Sequence, residues 1–170
     1  MNNLENKDIL PDDILSAIDY ILEKQPNAIF GGSIALNAVG LLNRKISDID
    51  LFFPLDTDIK MLAGLHNDDK DVQASEPVTD INGNKIQRVN IKINGIKVDC
   101  FKVPDNMLQH SLFSFLGKTI RIQNVNYAIE AKIQYAKKGV KKHIDDLQNI
   151  DIAMINTDID SILSNMGYTI

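Results

Sequence analysis

The chain has 170 residues, with 18 Lys+Arg against 23 Asp+Glu and a formal net charge of −5. Apolar residues make up 44% and charged residues 24%, the balance of a folded domain and not of a disordered tail. That acidity argues against sequence-blind coating of nucleic acid, and the lone Cys100 excludes a disulfide framework or a Cys-rich zinc site. At this length one core can bury about 70% of the unfolded surface without a disulfide or metal staple. The N-terminal stretch MNNLENKDILPDDIL is polar and acidic, with no basic segment leading into an apolar run. Residues 25–43 carry no charge, but Pro26, Gly31, Gly32, Gly40 and three Asn make them a poor membrane span. The expectation is a cytoplasmic protein with no membrane partner.

In chain order, Pro11 and two aspartates open a first helix whose stripe is Ile14, Ile18, Ile21 and Leu22, ending before Pro26. The run Ala28-Ile29-Phe30 predicts a short buried strand that stops at the Gly31-Gly32 turn. Ser33 then starts a second helix through Leu42. Asp48-Ile49-Asp50-Leu51-Phe52-Phe53 reads as a strand closed by Pro54, and residues 57–66 as a short helix. From Val72 to Val103 the pattern is strands and turns. Asn82-Gly83 and Asn94-Gly95 are hairpin signals, the second joining Arg88–Ile93 to Ile96–Phe101. A helix-prone stretch to about Ser114 leads to a strand at Thr119–Ile122. Helices over Val125–Lys138 and Lys141–Ile155 follow, then a short one from Thr157 or Asp158 to near Gly167. The expected fold class is α/β (α+β), a mixed sheet flanked by helices. Two parts are expected: a catalytic-type core over 1–123 and a helical segment over 124–170 packed on it.

Three segments carry the chemistry. Gly31-Gly32-Ser33 lies between a strand and a helix, where the backbone can turn sharply and offer N–H groups to a phosphate. Gly-Gly-Ser is also a common turn, so this segment alone does not decide. In a strand, Asp48 and Asp50 project to one face while Ile49 enters the core. Two carboxylates ~4 Å apart repel by about 4 kcal/mol at a surface-like dielectric, which a divalent cation would cancel. Asp99 lies on one strand face with Lys97 and Phe101. If its strand neighbours the Asp48–Phe53 strand, three carboxylates converge, the oxygen-rich set that Mg²⁺ takes in phosphoryl transfer.

Phe30-Gly31-Gly32-Ser33 followed by Arg44-Lys45-Ile46-Ser47-Asp48-Ile49-Asp50-Leu51-Phe52 resembles the signature of the nucleotidyltransferase superfamily, whose catalytic domain is shared with DNA polymerase β. The Arg-x-x-Ser-Asp-Ile-Asp-Leu version, Ala131-Lys132 and Lys142-His143-Ile144-Asp145-Asp146-Leu147 are similar to the abortive-infection toxin branch. The resemblance implies a nucleotidyltransferase-type mixed sheet with a helical C-terminal segment. It also implies a Mg²⁺-dependent enzyme, with Mn²⁺ as a substitute, moving a nucleoside monophosphate from an NTP such as ATP to an acceptor hydroxyl. Asp48, Asp50 and Asp99 would be the catalytic metal ligands, for two ions. Gly31, Gly32 and Ser33 would hold the β and γ phosphates, and Lys132, one turn into its helix, would pair with the triphosphate. The acceptor is RNA (tRNA included), protein or a small molecule, the first two favoured, and an antitoxin partner is implied. The rival expectation is a non-catalytic module that keeps the fold and binds a nucleotide or a partner protein.

The remaining candidates are weaker. His66, His110 and His143 lack metal-ligand spacing and read as surface or satisfied histidines, His143 standing where the toxin branch often carries an acid. Cys100 reads as a small buried apolar residue. Lys137, Lys138, Lys141 and Lys142 read either as a solvated helix end or as an RNA-facing patch. Arg44 and Lys45 read as solvated loop charges or substrate contacts.

Overall fold

Strict alternation of apolar and polar residues builds the centre of the sheet. In β2 (Ile49–Phe53), Ile49, Leu51 and Phe53 are buried on one face, while Asp50 and Phe52 point to the other. In β5 (Ile96–Lys102), Val98 and Cys100 join that same core, and Asp99 and Phe101 share the opposite face with Asp50 and Phe52. The computed structural model describes residues 8–55, 58–59, 62, 72–79, 83, 85–115, 117–150, 164 and 167, with 72–79 and 115 as backbone alone.

The other elements dress these two strands. Helix α1 (Asp12–Lys24) follows Pro11, with Asp12 and Asp13 in its first turn and Lys24 in its last. Its buried stripe of Ile14, Ala17, Ile18, Ile21 and Leu22 fills the core beneath Ile49, Leu51 and Val98. Strand β1 (Ile29–Phe30) leads straight into α2 (Gly32–Ala38). Strands β3 (Val72–Thr79) and β4 (Lys85–Ile93) precede β5, and β6 (His110–Phe115) and β7 (Lys118–Gln123) follow it. The seven strands form one mixed sheet in the order β3-β4-β5-β2-β1-β7-β6. Strand β2 runs parallel to β5 and antiparallel to β1, and β1 runs parallel to β7. Helices α3 (Val125–Lys137) and α4 (Lys141–Asn149) pack with Leu36, Leu41 and Leu42 as a second apolar cluster, built on Ile129, Ile133, Ile144 and Leu147.

The hairpin between β4 and β5 turns at Asn94-Gly95 as expected, with φ of 51° and 80° at the two positions and Ile93 opposite Ile96. Other boundaries differ from the sequence reading. Helix α2 stops at Ala38 instead of Leu42, because Gly40 adopts a φ of +80° and the Leu41 N–H returns to the Leu36 carbonyl. The stretch before Ser114 is not helical. It holds one 3-10 turn (Asp105–Met107) and then strand β6, paired antiparallel with β7. Phe113 packs on the core, while His110, Ser111, Leu112 and Ser114 are exposed. Of the helix expected over 57–66, residues 58, 59 and 62 are helical and the rest lie outside the described residues. Asn82 and nearly all of the expected helix over 157–167 lie outside them too. No helix among the described residues is long and apolar enough to cross a membrane.

Leu51→Ala should cost about 2–5 kcal/mol in urea denaturation, because it empties a fully enclosed site at the sheet centre. Leu112→Ser, on the exposed face of β6, should stay within about 0.5 kcal/mol. A large loss at Leu112 would mean that this strand faces a core.

Candidate active site

The register of the sheet assembles the site. Asp50 stands opposite Asp99 in the parallel β2–β5 pair, and Asp99 stands opposite Asn90 in β4. The next outward row, two residues along each strand, is Phe52, Phe101 and Arg88. A polar row of two carboxylates and an amide is therefore followed by an aromatic row, the Phe52 and Phe101 rings stacking at 5.0 Å. Asp48 lies just before β2 and lines the same cavity as Asp50 and Asp99. The three predicted acids meet on one face of the sheet.

Their charges are unevenly answered. Asp48 Oδ2 receives Lys142 Nζ at 3.2 Å. Asp99 accepts from Asn90 Nδ2 at 2.6 Å and pairs with Lys97 Nζ at 3.4 Å. For Asp50, burial and then the charges of Asp48 and Asp99 push the carboxyl up to about 7, against weaker pulls from Lys132 and Lys142. The donor set is hard oxygen, and its central member makes no direct ion pair among the described residues, so the chemistry fits a divalent cation. Among the described residues, however, no three His, Cys, Asp or Glu side chains are gathered closely enough to hold a metal ion as they stand.

The glycine turn touches the acids directly. A Cβ at Gly32, where φ is +54°, would fall 2.0 Å from Asp50 Oδ2, and one at Gly31 would fall 2.2 Å from the Phe52 ring. The Gly31 N–H donates to the Asp50 carbonyl at 3.0 Å, continuing the β1–β2 ladder. The Gly31 N–H is thereby taken up by the sheet, and the bare Cα of Gly32 makes room for the Asp50 carboxylate. Ser33 and Lys132 do line the cavity.

Behind the turn lies a network that the sequence reading did not assemble. Lys132, only 4% exposed, sits two turns into α3, not one, and donates to Asp146 Oδ2 at 2.8 Å. Arg44 grips the same carboxylate with two hydrogen bonds, Nε to Oδ1 at 2.6 Å and Nη2 to Oδ2 at 2.8 Å. Burial opposes the Asp146 charge, but the hydrogen bonds from Arg44 and Lys132 outweigh it and hold the carboxyl below its usual range. Arg44 is thus a structural partner and not a solvated loop charge. Asp146 was visible only as part of the Lys142–Leu147 match.

Helices α3 and α4 roof the cavity with Tyr127, Tyr135 and His143. The His143 ring stacks on Tyr135 at 4.7 Å, and its buried Nδ1 has no hydrogen-bond partner among the described residues. Burial, then the Lys132 charge, lower its pKa to about 4, so the ring is neutral at pH 7. This corrects the reading of His143 as a surface or satisfied histidine. Cys100 is buried in the core, as expected. The cavity volume is about 480 Å³, within the usual range of small-ligand sites.

Among solved structures, a candidate nucleotidyltransferase from Thermotoga maritima is similar over 83% of this chain and 96% of its own, with a TM-score of 0.56 at 16% identity. The fold is of the nucleotidyltransferase type. A candidate nucleotidyltransferase from Helicobacter pylori aligns over 89% of this chain and 72% of its own, with a TM-score of 0.37 at 14% identity. JHP933, from Helicobacter pylori, aligns over 92% and 75%, with a TM-score of 0.40 at 15% identity. No protein-family model and no curated protein matches the chain. Identities this low speak for the fold alone.

The raised Asp50 carboxyl has a consequence for stability. Between about pH 4 and pH 7 the folded state holds a proton that the unfolded state has released, so stability falls as pH rises through that window. In buffer without divalent cations, Asp50→Asn should remove this slope. It should be more stable than the parent at pH 8 by roughly 2–4 kcal/mol. Urea denaturation at a series of pH values reads this, and an unchanged slope in the variant would reject the assignment.

Proposed function

We propose that the protein is a Mg²⁺-dependent nucleotidyltransferase that moves a nucleoside monophosphate from an NTP to an acceptor hydroxyl. The observation that carries this reading is the facing pair Asp50–Asp99, joined by Asp48 in a cavity that also contains the buried Lys132. Three carboxylates would hold the metal, and lysines beside them would face the phosphates. When bound, Mg²⁺ supplies charge for the phosphate oxygens and favours ionisation of the attacking hydroxyl. The acceptor hydroxyl would give its proton to solvent or to a carboxylate of the acid row, and its oxygen would bond to the α-phosphorus as the bond from that phosphorus to the α–β bridging oxygen breaks, pyrophosphate leaving with its negative charge. Lys132 and Lys142 would meet that charge. The stacked Phe52 and Phe101 extend the floor beside the acids as an apolar surface suited to a flat ring.

The favoured acceptor is RNA or protein, a choice that rests on the sequence resemblance alone. So does the proposed place in a toxin–antitoxin or phage-defence pair. The lysine run adds little to the RNA reading. Lys141 pairs with Asp145 and Lys142 with Asp48, so part of its charge is answered within the fold. A second reading, a binding module without catalysis, draws on the same pairings, since lysines at Asp48 and Asp99 partly neutralise the acids.

Incubation with labelled NTPs, Mg²⁺ and total RNA or cell lysate separates the two. Transfer should be Mg²⁺-dependent, release pyrophosphate, and fall by more than about 100-fold in Asp50→Ala and Asp99→Asn without loss of folding. Mg²⁺ should also raise the melting temperature of the parent protein and not that of Asp50→Ala. Mg²⁺-independent behaviour in both measurements would leave the binding module as the better account.

A further inference from the structure

The network behind the glycine turn has one geometric peculiarity. Arg44 Nη2 donates to Asp146 Oδ2 and also to Ser33 Oγ, each at 2.8 Å. Its Nη1 donates to the Lys45 carbonyl at 2.9 Å and its Nε to Asp146 Oδ1 at 2.6 Å. A guanidinium has five N–H donors and no acceptor, so this one is nearly fully committed, and Ser33 can only accept from it. The hydrogen of the Ser33 hydroxyl must therefore go elsewhere. No acceptor for it is found among the described residues, and Ser33 lines the cavity shared by the acids and Lys132.

The clamp on Arg44 is itself firmly held. Arg44 and Lys132 share the single carboxylate of Asp146, and the Asp48 carboxylate also favours the Arg44 charge. Asp146 is 3% exposed and Ser33 6%, so solvent screens these pairings weakly. We propose that Arg44 is a positioning residue: clamped by Asp146, it fixes the Ser33 hydroxyl so that its hydrogen is donated to a phosphate oxygen of the nucleotide. Arg44 touches no substrate in this arrangement and acts through Ser33. The proposal rests on the nucleotidyltransferase reading and specifies how that site recognises phosphate.

A double-mutant cycle on Mg²⁺·NTP affinity tests it, each of the four NTPs being titrated by calorimetry and the tightest retained. Ser33→Ala should weaken binding about tenfold, the loss of one hydrogen bond to a charged group. Arg44→Lys keeps a positive charge beside Asp146 but cannot reach both partners, and should weaken binding to a similar extent. The combined variant should be no weaker than Ser33→Ala alone, since the two changes remove one interaction. If Arg44→Lys does not fold, Arg44→Gln takes its place in the cycle. Additive losses, near a hundredfold in the combined variant, would overturn the proposal, as would an Arg44 variant that binds like the parent. Parent protein that binds no NTP would instead overturn the underlying functional reading.

Discussion

A carboxylate placed where its charge is unwelcome organises this protein. Asp50 is held between Asp48 and Asp99, above a core of Ile49 and Leu51 and beside an aromatic row. Parallel pairing fixes the position, because the β2–β5 register that buries Ile49, Leu51, Val98 and Cys100 forces Asp50 and Asp99 side by side on the other face. The strands cannot slip by one residue without turning the acids into the core and the isoleucine out of it. The repulsion is therefore sustained by packing energy from the opposite face. That is the kind of local cost a fold retains where the site needs it.

The surroundings divide into groups that soften this repulsion and groups that stand ready beside it. Lys142, Lys97 and Asn90 meet Asp48 and Asp99 at the cavity, and the first of these comes from α4, far along the chain. The Lys132–Asp146–Arg44 network is of another kind. It is mostly buried, mutually satisfied, and ties α3 and α4 to the loop before β2 and to the start of α2. Removing Asp146 would leave Arg44 and the buried Lys132 without their shared carboxylate, so the network locks the helical roof onto the sheet. The roof is thereby positioned by electrostatics as well as by the apolar cluster of Leu36, Ile129, Ile133 and Leu147.

Much of this was legible in the residues. Period-two alternation marks the faces of β2 and β5, Asn94-Gly95 marks the β4–β5 hairpin, and Asp48, Asp50 and Asp99 stand out by their strand positions alone. Lys132 stands out only through the family resemblance. Other features lay beyond a local reading. The pairing of Lys132 with Asp146 spans two helices, and that of Arg44 with Asp146 spans 102 positions. Neither residue carries a local mark of its partner. The strand at 110–115 was hidden because its alternation is weak, with polar and apolar residues both exposed on an edge strand. The Gly31 N–H looked free only because sequence does not show that the β1–β2 ladder runs one residue past Phe30.

That last point changes how the turn should be understood. Glycines beside acids invite a phosphate-loop interpretation, in which bare backbone wraps an anion. Here the missing side chains serve the protein's own carboxylate, since any Cβ at Gly32 would collide with Asp50 and any at Gly31 with Phe52. The turn's first duty is to let the acid row sit against the chain reversal. With one backbone donor committed to β2, a phosphate would depend more on side chains, and those lining the cavity beside the turn are Ser33, Lys132 and Lys142. Anion recognition would then pass from the backbone to hydroxyl and ammonium groups, whose orientation depends on their own partners. Such a site would be as exact as the residues behind it, since Arg44 holds the Ser33 hydroxyl and Asp146 holds Lys132.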